Sequence, residues 1–131
     1  MADILRKIST DKAPGAIGPY SQAIAVGNML YTSGQVPIIP ETGAVIEGDI
    51  LVQTTLVCEN IGAILAAAGI DFENVIKTTC FLTDMADFAA FNSVYEKFFV
   101  EKPARSCVAV RQLPRDVLCE IEVIALLPDV N

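Results

Sequence analysis

Histidine and tryptophan are both absent from this 131-residue chain, and its four cysteines form no Cys-x-x-Cys pair. A zinc site of the Cys and His type is therefore excluded, and a nucleophilic thiol would lack its usual imidazole base. Basic residues are few: nine Lys and Arg stand against sixteen Asp and Glu, for a net charge of −7. Phosphate neutralisation supplies most non-specific affinity for nucleic acid, so broad binding to it or to an anionic membrane is disfavoured. A local patch of Arg105, Arg111 and Arg115 is the exception left open. No apolar run approaches the ~20 residues that span a bilayer. Walker, GxGxxG, HExxH and GxSxG motifs are all missing, as are repeats, low-complexity stretches and linkers. The first seven residues lack the apolar core of a secretory signal.

What remains is an apolar chain. It is 53% hydrophobic, which without a membrane span points to surface buried between subunits. Residues 1–131 make one domain, long enough to bury roughly 65–70% of its unfolded surface without staples. Cys58, Cys80, Cys107 and Cys119 are read as reduced thiols, small hydrophobes in a cytoplasmic protein.

Residues 23–33 pattern as a hairpin turning at Gly27-Asn28. Residues 34–48, rich in Pro and Gly, read as a loop. A helix follows over about 49–68, with Asp49 as its cap, Gly69 at its end, and Val57, Ile61, Ile64, Leu65 and Ala68 as its stripe. Residues 75–83 read as a strand. A second helix runs over about 85–100, opening on Asp84 and Asp87 at capping-box spacing and burying Phe88, Phe91, Tyr95 and Phe98 before Pro103 stops it.

Two further stretches alternate at period two, 103–110 and 118–125. Arg105, Cys107 and Ala109 share one face of the first; Glu120 and Glu122 project from one face of the second. The polar link 111–116 reads as a hairpin loop. Pairing these strands would gather a guanidinium, a thiol and two carboxylates on one sheet face, a constellation able to hold a small carboxylic acid and position a water. The expected architecture is α+β, both helices on one sheet face, with Arg105, Cys107, Glu120 and Glu122 on the other, covered by further subunits.

Four segments carry a family resemblance: Ala13-Pro14-Gly15-Ala16-Ile17-Gly18-Pro19-Tyr20-Ser21-Gln22, Thr32-Ser33-Gly34-Gln35, Pro103-Ala104-Arg105-Ser106-Cys107, and Leu113-Pro114-Arg115-Asp116-Val117 leading into Glu120-Ile121-Glu122. In order and spacing they resemble the reactive intermediate deaminase family, also called RidA or YjgF and formerly endoribonuclease L-PSP or translation inhibitor. The resemblance covers nearly the whole chain. It implies a homotrimer of chorismate-mutase-like fold whose sheets line a central barrel, with pockets between subunits. The implied activity is cofactor-free hydrolysis of 2-iminobutanoate and 2-iminopropanoate, the latter from 2-aminoacrylate, to 2-keto acids and ammonia. Such imines are released by pyridoxal-phosphate-dependent threonine and serine dehydratases. One departure is the short link Val100-Glu101-Lys102-Pro103, where many members have a few more residues.

Arg105 can grip a carboxylate bidentately, as lysine cannot; from position alone it could equally be structural, paired with Glu120 or Glu122, and the resemblance favours the ligand role. Glu120 is the candidate water-positioning group, a partly buried carboxylate with a raised pKa serving as base and then acid. Glu122 either supports the site or faces the trimer centre, the second being favoured. Cys107 is read as a pocket wall whose backbone N–H meets the ligand. Tyr20, Ser33, Gly34 and Asn92 are binding residues by resemblance alone, against ordinary turn or surface duty. Two other functions compete: a ribonuclease, and a non-catalytic trimer that binds keto acids or acts as a chaperone.

Overall fold

The chain described by the computed structural model, residues 4–128, folds as strands β1 (Arg6–Ile8), β2 (Ala23–Val26) and β3 (Met29–Thr32), helix α1 (Ile50–Ala67), strand β4 (Val75–Leu82), helix α2 (Phe88–Phe98), and strands β5 (Ala104–Ala109) and β6 (Cys119–Leu126). The strands form one mixed six-stranded sheet in the order β1-β2-β3-β6-β4-β5. Only β4 and β5, joined through α2, run parallel; the other neighbours are antiparallel. Both helices pack on one face of the sheet, as expected of this α+β class.

Local chemistry accounts for the elements. The β2–β3 hairpin closes at Gly27, whose φ of 57° is open to glycine and costly for most other residues. Asp49 caps α1 by accepting from the Val52 N–H at 3.1 Å. At the far end Gly69 (φ 81°) reverses the chain, while the amides of Gly69 and Ile70 donate to Ala66 and Leu65, a Schellman closure. By length and composition alone α1 could cross a membrane, yet half of it is buried, with Val57, Ile61, Ile64 and Leu65 in the core. Its inward face also buries Gln53, Thr54 and Asn60, which the apolar pattern did not reveal. Asn60 donates to the carbonyls of Val36 and Ile38, and Gln53 accepts from the Leu118 N–H.

Helix α2 is shorter than its pattern. A 3-10 turn (Met85–Asp87) precedes it, so the Asp84 side chain accepts from the Ala86 N–H while its carbonyl takes the Asp87 N–H, and the expected capping box does not form. Phe91, Val94 and Tyr95 are buried; Phe88 and Phe98 are only partly so, and Phe99 just past the helix joins the core.

Strands β5 and β6 do not form a hairpin. β4 lies between them, parallel to β5 and antiparallel to β6. The connecting loop is long enough to carry the chain past β4, turning at Arg115 and Asp116, both with φ near +57°. The face assignments change accordingly. Thr78 stands opposite both Arg105 and Val123, and Cys80 opposite both Cys107 and Ile121, all on the helix-covered face. Phe81 stands opposite Glu120 and Thr79 opposite Glu122, on the other face. Arg105 and Cys107 therefore point away from the two glutamates, and the expected grouping of all four on one open face is not found. The face bearing Glu120 and Glu122 also exposes Tyr31, Val108 and Leu126.

Candidate active site

The predicted site residues fall into two groups. Tyr20, Ser33, Gly34 and Glu120 line one cavity of about 510 Å³ with Glu122, Ile17 and Pro114. Asn92 and Arg105 line another, of about 340 Å³, with Tyr95, Phe99 and Lys102. Cys107 borders neither but sits two residues beyond Arg105 on the same strand face.

A bulge builds the first cavity. One more residue lies between Tyr31 and Gln35 than between their partners Ile124 and Ile121, so the chain bows out at Thr32–Gly34 before re-pairing through Gln35 and Ile121 at 2.8 and 3.1 Å. The Thr32 hydroxyl fills the gap by accepting from the Val123 N–H at 3.0 Å. The bulge brings Gly34 against Glu120 so closely that a Cβ there would overlap the carboxylate. Ser33 donates its hydroxyl to the Ser21 carbonyl at 2.6 Å, tying the bulge to the segment that carries Tyr20. Buried Gln22 holds that segment from below, accepting from the Thr10 N–H and donating to the carbonyls of Thr10, Ala13 and Pro14. Tyr20 itself is 47% exposed. Burial, and secondarily the charge of Glu122, raise the Glu120 pKa, in the direction expected of a group that both takes and gives a proton.

The second cavity is built on edge strand β5. Arg105 donates from Nη1 to Asn92 Oδ1 at 2.8 Å, and its guanidinium carbon lies 4.7 Å from the Tyr95 ring centre and 5.5 Å from that of Phe88. The structural alternative for Arg105, pairing with Glu120 or Glu122 in the same chain, is ruled out by the sheet between them. Residues 88, 92 and 95 share one stripe of α2, and polar Asn92 in that stripe was the signal that it faces a cavity. The roles of Phe88 and Tyr95 beside a cation had no such signal, because aromatic residues at helical spacing also fill cores.

Arg105 and Arg115 have separate partners, Arg115 donating to the Gly43 carbonyl at 2.9 Å. All four thiols are free. Burial raises the pKa of Cys58, pushes Cys80 and Cys119 up to about 12, and raises Cys107 against the opposing pull of Arg105. Burial thus disfavours the nucleophilic thiolate at each of them. Among the described residues no cluster of three Cys, Asp or Glu could hold a metal.

The family model described as endoribonuclease L-PSP matches residues 10–127. The chain belongs to this family of reactive intermediate deaminases. Its relatives include the 2-iminobutanoate/2-iminopropanoate deaminase of Salmonella typhimurium, 50% identical over 92% of this chain and 97% of that protein. A RutC family protein of Pyrococcus horikoshii is 57% identical over 90% of this chain and 94% of that one. The crystal structure of Escherichia coli TdcF with bound serine superposes with a TM-score of 0.89 at 49% identity, covering 94% of this chain and 99% of TdcF. The TdcF structure shares the two-helix, mixed-sheet fold, and some relatives at about 50% identity are named deaminases.

Proposed function

We propose that this protein hydrolyses 2-imino acids, 2-iminobutanoate and 2-iminopropanoate among them, to 2-keto acids and ammonia, at sites completed between copies of the chain in a cyclic homotrimer. The observation that carries this reading is the split of the candidate residues: Arg105 on one sheet face, Glu120 in a cavity on the other. Neither half suffices for the chemistry, and a neighbouring copy seated on the open face would bring one chain's Glu120 cavity to the next chain's Arg105. The exposed Tyr31, Val108 and Leu126 on that face supply apolar surface for such packing.

In this arrangement Arg105, steadied by Asn92, holds the substrate carboxylate and so fixes the neighbouring C2=N carbon. Glu120 accepts a proton from a water as its oxygen bonds to C2, while the imine nitrogen takes a proton from solvent. The carbinolamine collapses as Glu120 returns its proton to nitrogen; the C–N bond breaks, ammonia leaves, and the hydroxyl gives its remaining proton to solvent as C2 becomes a ketone. Tyr20, Ser33 and Gly34 shape the wall near Glu120, and the Cys107 backbone N–H lies on the Arg105 side. Glu120 and solvent water carry every proton transfer, so the reading requires no cofactor. The four free thiols suit the reducing cytoplasm.

The test couples a threonine dehydratase, which releases 2-iminobutanoate, to keto-acid formation. Native protein should accelerate release and Arg105→Ala should not. No acceleration from correctly assembled protein would overturn the reading and favour a keto-acid-binding role.

A further inference from the structure

The geometry points to Thr78 and Tyr95 as the pair that positions the Arg105 guanidinium; this inference rests on the reading of Arg105 as the carboxylate anchor. Arg105 sits on an edge strand with a ladder partner on one side only, β4, and the residue directly opposite it is Thr78. Thr78 is fully buried, and its hydroxyl lies 2.8 Å from the Tyr95 hydroxyl. Tyr95 reaches down from α2 so that its ring lies beneath the guanidinium. The ring is itself clamped, stacked on Phe91 and Phe99 with centre separations of 5.8 and 4.4 Å.

A phenylalanine would serve if position 95 were only core, as at neighbouring Phe91, Phe98 and Phe99. A buried phenol instead demands a hydrogen-bond partner, and Thr78 is placed to supply one. The bond fixes where the ring lies relative to the residue that Thr78 faces across the ladder. With the ring below and Asn92 at one nitrogen, the guanidinium loses most of its freedom before any ligand arrives. Its remaining N–H groups are then presented as a fixed fork, the arrangement a carboxylate grips. Tyr95 lies against the Arg105 guanidinium, and Thr78 acts on it through Tyr95, so both are positioning residues.

The experiment measures calorimetric binding of 2-oxobutanoate, the keto-acid product, together with KM and kcat for the imine. Tyr95→Leu should weaken keto-acid binding and raise KM about tenfold. Tyr95→Phe and Thr78→Val should each do so about threefold, and the double variant no more than either single one, because both remove one bond. In all of them kcat should stay within about twofold, since the anchor is held in ground and transition states alike. Partial rescue by phenylalanine separates ring from tether. A purely structural pair would lower the melting temperature of these variants and leave keto-acid affinity untouched, which would overturn the inference. The single-bond variants keep the test open if Tyr95→Leu fails to fold. Arg105→Ala decides between failures: if it loses keto-acid binding while the Tyr95 and Thr78 variants keep it, only the positioning pair is wrong. If Arg105→Ala binds as native protein does, the anchor reading falls and the pair with it.

Discussion

Glu120 is half-buried, pressed against Gly34 and two residues from a second glutamate. Its folded pKa is raised above the ordinary 4.5, by burial first and Glu122 second. A carboxyl group raised on folding favours the protonated native state, so its stabilising effect is full below 4.5 and is lost as pH climbs through the raised value. Urea midpoints should therefore fall for native protein relative to Glu120→Gln as pH rises through that window; a relative gain would contradict the assignment. Glu120→Gln should also lower imine turnover about a hundredfold or more, the usual scale for a lost general base. The same carboxylate makes Gly34 irreplaceable. Gly34→Ala would push Glu120 aside, and since a misplacement of about 1 Å can cost about a hundredfold, turnover in the coupled assay should drop on that scale. An alanine variant with native turnover would show that Glu120 does not need its observed position.

Among the elements, the loop 34–48 leans on Asn60 of α1. Asn60 is 1% exposed and donates to two carbonyls of that loop. Asn60→Leu removes the donor of the Ile38 carbonyl, while the Val36 carbonyl keeps the Ile38 N–H at 2.8 Å, and denaturation should show a loss of about 1–3 kcal/mol. Much at this scale was legible in advance. Glycine at 27 and 69 and aspartate at 49 have local, short-range reasons to be where they are, and those turns and caps form as expected. Strand β1 was missed because three half-exposed residues carry no periodicity. The pairing of the last two strands was misjudged for a different reason. Alternation correctly grouped Arg105 with Cys107 and Glu120 with Glu122, but it carries no information about which strand lies alongside. Once β4 is inserted, Arg105 turns inward and the glutamates outward. The bulge at Thr32–Gly34 was equally hidden, since it exists only through register with β6, 91 residues away in sequence as the Thr32–Val123 bond spans it. Arg105, Cys107, Glu120 and Glu122 stood out by strand alternation, and Tyr20, Ser33, Gly34 and Asn92 by family resemblance alone; their division between two sheet faces comes from long-range pairing alone.

In the whole molecule, one chain holds Arg105 and Glu120 on opposite faces of its sheet, so the proposed site needs two chains. Inactive chains should then repair one another. Arg105→Ala and Glu120→Gln subunits, each inert alone, are unfolded together, refolded at equal ratio, and assayed for imine hydrolysis. In a closed ring of copies each site draws one residue from each neighbour, so about a quarter of the native activity should return. A mixture no more active than its two components, with mixed assemblies confirmed by mass, would contradict the shared site.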